Sequence, residues 1–115
     1  MDIPQELMAN AYLSQSGEPA WCKDDALQVI RWATSLEVAV IGIEVWLPTL
    51  PGPTIPMPYF YSFDCEPAEG EGWFEFVNRA NKEAADYVDG FDWDPNDTKH
   101  FGTQPFFNIT LDDGS

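Results

Sequence analysis

Val38-Ala39-Val40-Ile41-Gly42-Ile43-Glu44-Val45-Trp46-Leu47 is the stretch of the chain that decides the fold. Its density of β-branched residues predicts a strand over 38–47. The first half is apolar on both faces, as in a central strand, whereas Glu44 and Trp46 share one face of the second half. Gly42 predicts a bulge or a close approach of another backbone. Such a strand needs further strands beside it and helices over its apolar face.

Two amphipathic helices are predicted around this strand, at about 22–36 and 73–89. Both segments carry apolar residues spaced three and four apart, and we expect Phe74 and Tyr87 of the second helix to face the core. Asp24 and Asp25 would lie in the first turn of the earlier helix, where carboxylates interact well with the helix dipole. Gly90 predicts the end of the later one.

The remaining segments complete an α-α-β-β-α-β order. We expect a short helix over 3–13, a strand at Tyr59–Phe63, a strand at 105–111 and a frayed tail at 112–115. Five prolines within 48–58 predict an irregular, stiff connection, because proline fixes φ and removes a backbone donor. The predicted fold is one α+β domain over 1–115, a two-layer sandwich with a mainly antiparallel sheet and helices on one face.

Composition and charge narrow the range of functions. The apolar fraction is 44% and the aromatic fraction 15%, enough to build a core despite a net charge of −15. A field of that sign repels phosphate backbones and anionic lipid headgroups, so we expect no direct binding of nucleic acid or membrane. Binding to a basic protein surface is the natural use of such a charge. The alternative is that the acidity only keeps the protein soluble.

Catalytic and metal chemistry find little support in the sequence. His100, the single histidine, lies in a polar loop, and neither Cys22 nor Cys65 stands in a nucleophile motif. The segment Asp92–Asp97 begins like a calcium loop, but it has Asp97 where such a loop needs glycine and Thr103 where it needs glutamate. We therefore predict no catalytic residue, no metal site and no cofactor.

The segment Met1–Leu13 has neither the basic region nor the apolar run of a secretory signal, and no stretch is long and apolar enough to span a membrane. We therefore expect a cytoplasmic protein. In that compartment Cys22 and Cys65 would be reduced thiols that serve as small packing residues, although the sequence alone leaves a disulfide open.

Acidic residues are concentrated between Asp64 and Asp97. This third of the chain holds eleven acidic and two basic residues, a net charge of −9, with aromatic residues interleaved. Protein interfaces favour aromatic anchors with charge around them. Trp93, flanked by acidic residues in a loop, is the preferred anchor. The residues of this segment that we predict to bind a partner are Glu69, Glu71, Asp86, Asp89, Asp92, Trp93, Asp94 and Asp97.

Three motifs, Pro19-Ala20-Trp21, Asp25-Ala26-Leu27 and Val40-Ile41-Gly42-Ile43-Glu44-Val45-Trp46, carry a resemblance to a known family. Residues 19–47 resemble the start of the immunity protein 40 family, small antidotes of bacterial polymorphic-toxin systems. The resemblance implies an inhibitor that binds a cognate toxin domain and covers its active site or substrate surface. It also implies partner contacts by Glu44 and Trp46. The alternative is that Trp46 packs in the core and Glu44 caps an edge.

Three functions follow from the sequence as hypotheses. The first is an antitoxin that neutralises a basic, nuclease-like toxin domain through an acidic and aromatic surface. The second is an acidic DNA mimic that inhibits nucleic-acid-binding defence proteins, and it requires carboxylates spaced like phosphates. The third is a small enzyme or ligand-binding domain that uses the aromatic segment 59–63, and it requires a deep apolar pocket.

Overall fold

The computed structural model of the chain describes residues 3–14, 16–48, 54–56, 62–91 and 105–115. The predicted α+β class is confirmed. Within these ranges the elements, in chain order, are α1 (Gln5–Met8), β1 (Tyr12–Leu13), β2 (Pro19–Ala20), α2 (Lys23–Ser35), β3 (Ala39–Pro48), β4 (Thr54–Pro56), β5 (Ser62–Asp64), α3 (Trp73–Asp89) and β6 (Phe106–Asp112).

Strand β3 is the centre of the main sheet. It pairs antiparallel with β6 along one edge, from Ala39 opposite Asp112 to Trp46 opposite Phe106. On the other edge β5 pairs with its middle and β4 with its end, so these two short strands follow one another along the same side. The register with β6 shifts between Val40 and Gly42, which confirms the predicted bulge. The apolar sequence of β3 therefore reflects its position between two neighbours.

Helices α2 and α3 supply most of the rest of the core. They lie side by side and run in opposite directions. At one end of the pair Lys23 forms an ion pair with Asp89, and at the other end Trp73 donates a hydrogen bond to the Glu37 carbonyl. Their buried residues pack against β3 and β6 in two clusters. The larger includes Ala26, Val29, Ile30, Val40, Ile43, Val45, Ala84, Val88 and Phe107, and the smaller consists of Ala39, Phe76, Val77 and Ala80. Both helices begin and end within one residue of the predicted limits.

A single buried amide holds α2, α3 and β3 together. Asn81 of α3 is 2% exposed. Its Oδ1 accepts a hydrogen bond from the Val40 N–H (2.7 Å), and its Nδ2 donates to the Val38 carbonyl (2.9 Å). The same Nδ2 donates to Thr34 Oγ1 of α2 (2.8 Å), whose hydroxyl in turn donates to the Ile30 carbonyl. Every polar atom of this buried side chain is therefore used.

The N-terminal segment differs from its prediction. The expected helix over 3–13 is restricted to α1, and Tyr12–Leu13 instead pairs with Pro19–Ala20 in a small antiparallel sheet. After Met8 the chain continues in tighter turns, with the Asn10 N–H bonded to the Leu7 carbonyl and the Ala11 N–H to the Met8 carbonyl. The fully buried Trp21 also donates its Nε1–H to the Leu7 carbonyl (2.8 Å), and this bond ties the segment to the core.

The proline-rich segment and the residues after β6 also differ from the prediction. Thr54–Pro56 forms β4 inside the stretch expected to be irregular; it is an outer strand, where a missing proline N–H costs no ladder bond. The strand expected at 59–63 is described only from Ser62, as β5, and the rest lies outside the described residues. The tail expected to fray over 112–115 is ordered, since Asp112 belongs to β6 and Gly114 lies against Trp73.

We predict that replacing Asn81 by leucine lowers the free energy of unfolding by about 3 kcal/mol. The substitution leaves the Val40 N–H and the Val38 carbonyl buried without partners, and each such group costs about 1–3 kcal/mol. Urea unfolding measures the change. Asn78→Leu is the matched control, because Asn78 is exposed on the same helix. Equal costs for the two variants would contradict the role assigned to Asn81.

Candidate functional site: an acidic protein-binding surface

Trp73 joins three segments at one end of the helix pair. Its indole Nε1 donates to the Glu37 carbonyl just beyond α2 (2.9 Å). The backbone of Gly114 lies flat against its ring, where a Cβ on residue 114 would come within 3.0 Å of the indole carbons. Gly114 also has a φ of +87°, which side-chain-bearing residues rarely adopt. Trp73 thus fixes the start of α3, the end of α2 and residues 113–115 in one rigid corner.

Helix α2 ends in a turn that usually carries glycine but here carries Glu37. The Glu37 N–H bonds to the Thr34 carbonyl (3.1 Å) and the Val38 N–H to the Ala33 carbonyl (2.9 Å), the pattern of a Schellman motif. Glu37 adopts a φ of +61°, and it is the one non-glycine residue with a positive φ in the part of the chain described. Left-handed backbone costs such a residue about 1–2 kcal/mol, and strain of this kind gathers at functional sites.

Apolar and acidic side chains are exposed together at this corner. Phe74 is 60% exposed and Leu36 is 54% exposed. The side chains of Glu37, Glu75 and Asp113 are also exposed, and no ion pair within the described ranges involves any of them. We call this surface the acidic end; its residues are Leu36, Glu37, Trp73, Phe74, Glu75 and Asp113. It combines apolar anchors with unneutralised charge.

The loop that leads into α3 is fixed by one arginine. Arg79 Nε and Nη2 bond to the two carboxylate oxygens of Glu71 (both 2.9 Å), its Nη2 also bonds to the Glu66 carbonyl (2.7 Å), and its Nη1 bonds to Glu83 (3.0 Å). The guanidinium and the Ala68 N–H hold the pKa of Glu71 at about 2, well below its usual range. The loop is therefore held in place beside the acidic end.

The structure divides the predicted partner-binding acids into two groups. Both carboxylate oxygens of Glu71 bond to Arg79, so this side chain stabilises the loop, and its contact with a partner stays a prediction. Asp86 pairs with Lys82 (3.1 Å) and Asp89 with Lys23 (3.6 Å), and both acids remain exposed. Glu69 is exposed and has no ion pair among the described residues. In the described part of the acidic segment, the carboxylates without an ion pair therefore lie before α3 or in its first turn, and not along the rest of the helix.

The remaining predicted contacts lie elsewhere. Glu44 is exposed on the face of β3 opposite to that of the buried Ile43 and Val45, and its partner contact stays a prediction. Trp46 is only 5% exposed, so its side chain is not accessible to a partner in this conformation. Its burial agrees with the alternative in which Trp46 packs in the core. Asp92, Trp93, Asp94 and Asp97 lie outside the described residues, and the preferred anchor Trp93 is among them.

Phe74 is the exposed anchor that the sequence reasoning placed in the core. The buried stripe of α3 runs through Phe76, Val77, Ala80, Asn81, Ala84 and Val88. Phe74 lies on the flank of this stripe, one turn before the exposed Asn78. The signal was present in the helical spacing, because Phe76 and Val77 already supply the core contacts of that turn.

Cys22 and Cys65 both lie in the described part of the chain. Both cysteines are free, and burial raises the pKa of each thiol, which keeps it protonated and unreactive. Across the described residues, no three histidine, cysteine or carboxylate side chains come together in a way that could hold a metal ion.

Comparisons with known proteins identify no relative. No protein-family model matches the chain, and no curated protein or solved structure matches it either. Among the described helices, none combines the length and the apolar character needed to cross a bilayer.

Replacing Glu37 by glycine is predicted to stabilise the fold by about 1 kcal/mol. Glycine removes the cost of the left-handed backbone, which exceeds the extra entropy that glycine loses on folding. Thermal or urea unfolding measures the change. Glu37→Gln removes the charge but keeps the strain, so it should stay close to wild type. A glycine variant no more stable than the glutamine variant would show that the turn is not strained.

The ion pair between Glu71 and Arg79 should make part of the free energy of unfolding depend on pH in the acid range. Because its pKa is lower in the folded state, at about 2, than the ordinary value of 4.5, its contribution is complete above pH 4.5 and falls as the pH drops towards 2. Urea midpoints measured from pH 6 down to the acid limit should therefore fall less steeply for Glu71→Gln than for wild type. Glu69→Gln is the matched control and should keep the wild-type slope.

Proposed function

We propose that this protein is an inhibitor that binds and neutralises a basic toxin domain through the acidic end. The observation that carries the proposal is Phe74, an aromatic side chain 60% exposed on a rigid corner and next to unneutralised carboxylates. Exposed aromatic residues ringed by polar groups are typical centres of protein interfaces. In this proposal the protein acts in the cytoplasm, where it would meet a toxin delivered by a neighbouring cell.

In this mechanism the net charge of the protein and the aromatic side chain of Phe74 act at different steps of binding. The net charge of −15 draws a basic partner in and raises the association rate. Glu37 and Glu75 then pair with basic side chains at the edge of the partner's cleft, while Phe74 enters an apolar hollow and slows dissociation. A nuclease cleft filled in this way cannot admit its phosphate-bearing substrate.

The rigidity of the acidic end favours tight binding. Trp73 is held by Glu37 and packs against Gly114, and the loop before α3 is tied to Arg79. A surface that is ordered before binding loses little conformational entropy on association. The resemblance of residues 19–47 to an immunity protein family points to the same class of partner, and Glu44 offers a second acidic contact on the sheet.

The first step of the test is to identify the partner. The tagged chain is co-expressed with the product of the adjacent gene in its source cell, and the bound protein is recovered and weighed. A basic domain in one-to-one complex, whose toxicity the chain suppresses, is the expected result. Recovery of several unrelated DNA-binding proteins, displaced by duplex DNA, would instead favour the DNA mimic.

Variants of the acidic end test the contact surface. Phe74→Ser should weaken the complex at least about 30-fold, the cost of losing a hot-spot anchor, and should act mainly on the dissociation rate. Because Phe74 is exposed, the fold should remain intact, as checked by circular dichroism and urea unfolding.

Charge reversal separates local contacts from long-range attraction. Glu37→Lys with Glu75→Lys, and Glu6→Lys with Glu18→Lys, change the net charge equally, but only the first pair lies in the acidic end. Both double variants should slow association, and the first alone should also speed dissociation. If the two double variants bind alike, the acidic end is not the interface.

A further inference from the structure

A groove runs between α2 and α3 on the outer side of the helix pair. Its volume is about 500 Å³, and nine residues line it. Leu27, Ile30 and Ala85 form an apolar floor, and Ser35 and Asn78 lie towards the end where Phe74 is exposed. A groove of this shape, with an apolar floor between two parallel ridges, suits an amphipathic helix of another protein.

The charge of this groove is opposite to that of the protein as a whole. The chain has twenty acidic residues, yet no aspartate or glutamate is among the nine that line the groove, whereas Arg31 and Lys82 both line it. A shallower hollow of about 310 Å³ lies on the other side of α2, and its lining has no acidic residue either. Lys82 is paired with Asp86, so Arg31 supplies the unpaired positive charge on the outer face of α2.

Arg31 is the residue that gives this face its character. It lines both the groove and the shallower hollow, so it stands on the ridge between them. Lys23, Arg79 and Lys82 each form an ion pair with a carboxylate. Arg31 forms no hydrogen bond or ion pair with any described residue, although the chain is rich in carboxylates. An exposed guanidinium without a carboxylate, beside an apolar floor, is a ready partner for an acidic side chain.

We propose that the α2–α3 groove is a second docking site, which binds an amphipathic helical segment of a partner protein with apolar side chains on the floor and a carboxylate on Arg31. The site is preformed, because Asn81 and Thr34 in its lining bond to each other and fix the distance between the two helices. It selects the opposite charge to the acidic end and does not depend on the antitoxin function.

The test uses two synthetic helical peptides of about 20 residues, longer than the range in which isolated helices are marginal in water. Both carry leucines one turn apart, and they differ only in a glutamate or a lysine beside them. Each is titrated into the ¹⁵N-labelled protein at about 0.15 M salt, where distant charges are screened. The glutamate peptide should shift the amide signals of Leu27, Arg31, Lys82 and Ala85, and should bind about fivefold more tightly than the lysine peptide.

Arg31→Glu should reverse this preference, and Arg31→Lys should retain it. Lys23→Glu is the matched control, with the same charge change on the same helix but outside the groove, and it should keep the wild-type preference. Equal binding of the two peptides, or shifts confined to other surfaces, would overturn the proposal. So would a change in sedimentation with Arg31→Glu and no change in peptide binding, which would assign the groove to a second copy of this chain.

Discussion

The amide of Asn81 is the constraint on which the rest of the structure depends. It bonds to the Val38 carbonyl and the Val40 N–H as a neighbouring strand would, so a side chain of α3 takes the place of a strand at the start of β3. Through Thr34 it also sets the distance between the two helices. The position of the groove and the meeting of both helix ends at Trp73 follow from this spacing. A buried polar network of this kind stabilises one arrangement of the three elements and destabilises others, in which its polar groups would lack partners.

Acidic and basic side chains are distributed differently over the surface of the protein. Three of its bases pair with acids on or just before α3, and the acids without an ion pair are spread over the described surface, from Glu6 and Glu18 to Glu37 and Glu75. Arg31, which is left without such a partner, faces outward from the middle of α2. The protein therefore has a strong field at long range but two chemically distinct surfaces at contact distance. Net charge governs approach, whereas the local surfaces govern which groups of a partner can be paired.

Sequence patterns predicted the parts of the fold that rest on periodicity. The two long helices, the central strand and the bulge beside Gly42 are local consequences of apolar spacing and of glycine. The β1–β2 pairing and β4 were missed, because both depend on what lies next to them rather than on their own residues. At the site, the acidity was predicted, whereas the exposure of Phe74, whose signal lay in the helical spacing, and the ion pair of Glu71 were missed. Each is decided by a neighbour, Phe76 in one case and Arg79 in the other.

The pairing of β3 with β6 has a consequence for the order of events in the cell. These strands are separated by about half of the chain, and Phe107 of β6 also exchanges both backbone hydrogen bonds with Trp21. During synthesis, the edge of β3 that pairs with β6 therefore stays unpaired until β6 has left the ribosome, although α2 and α3 emerge earlier. Closing so large a loop is slow, and an unpaired edge is prone to aggregation. Truncation before Phe106 should leave a chain that chaperones retain, so nascent chains would gain their fold only after β6 has emerged.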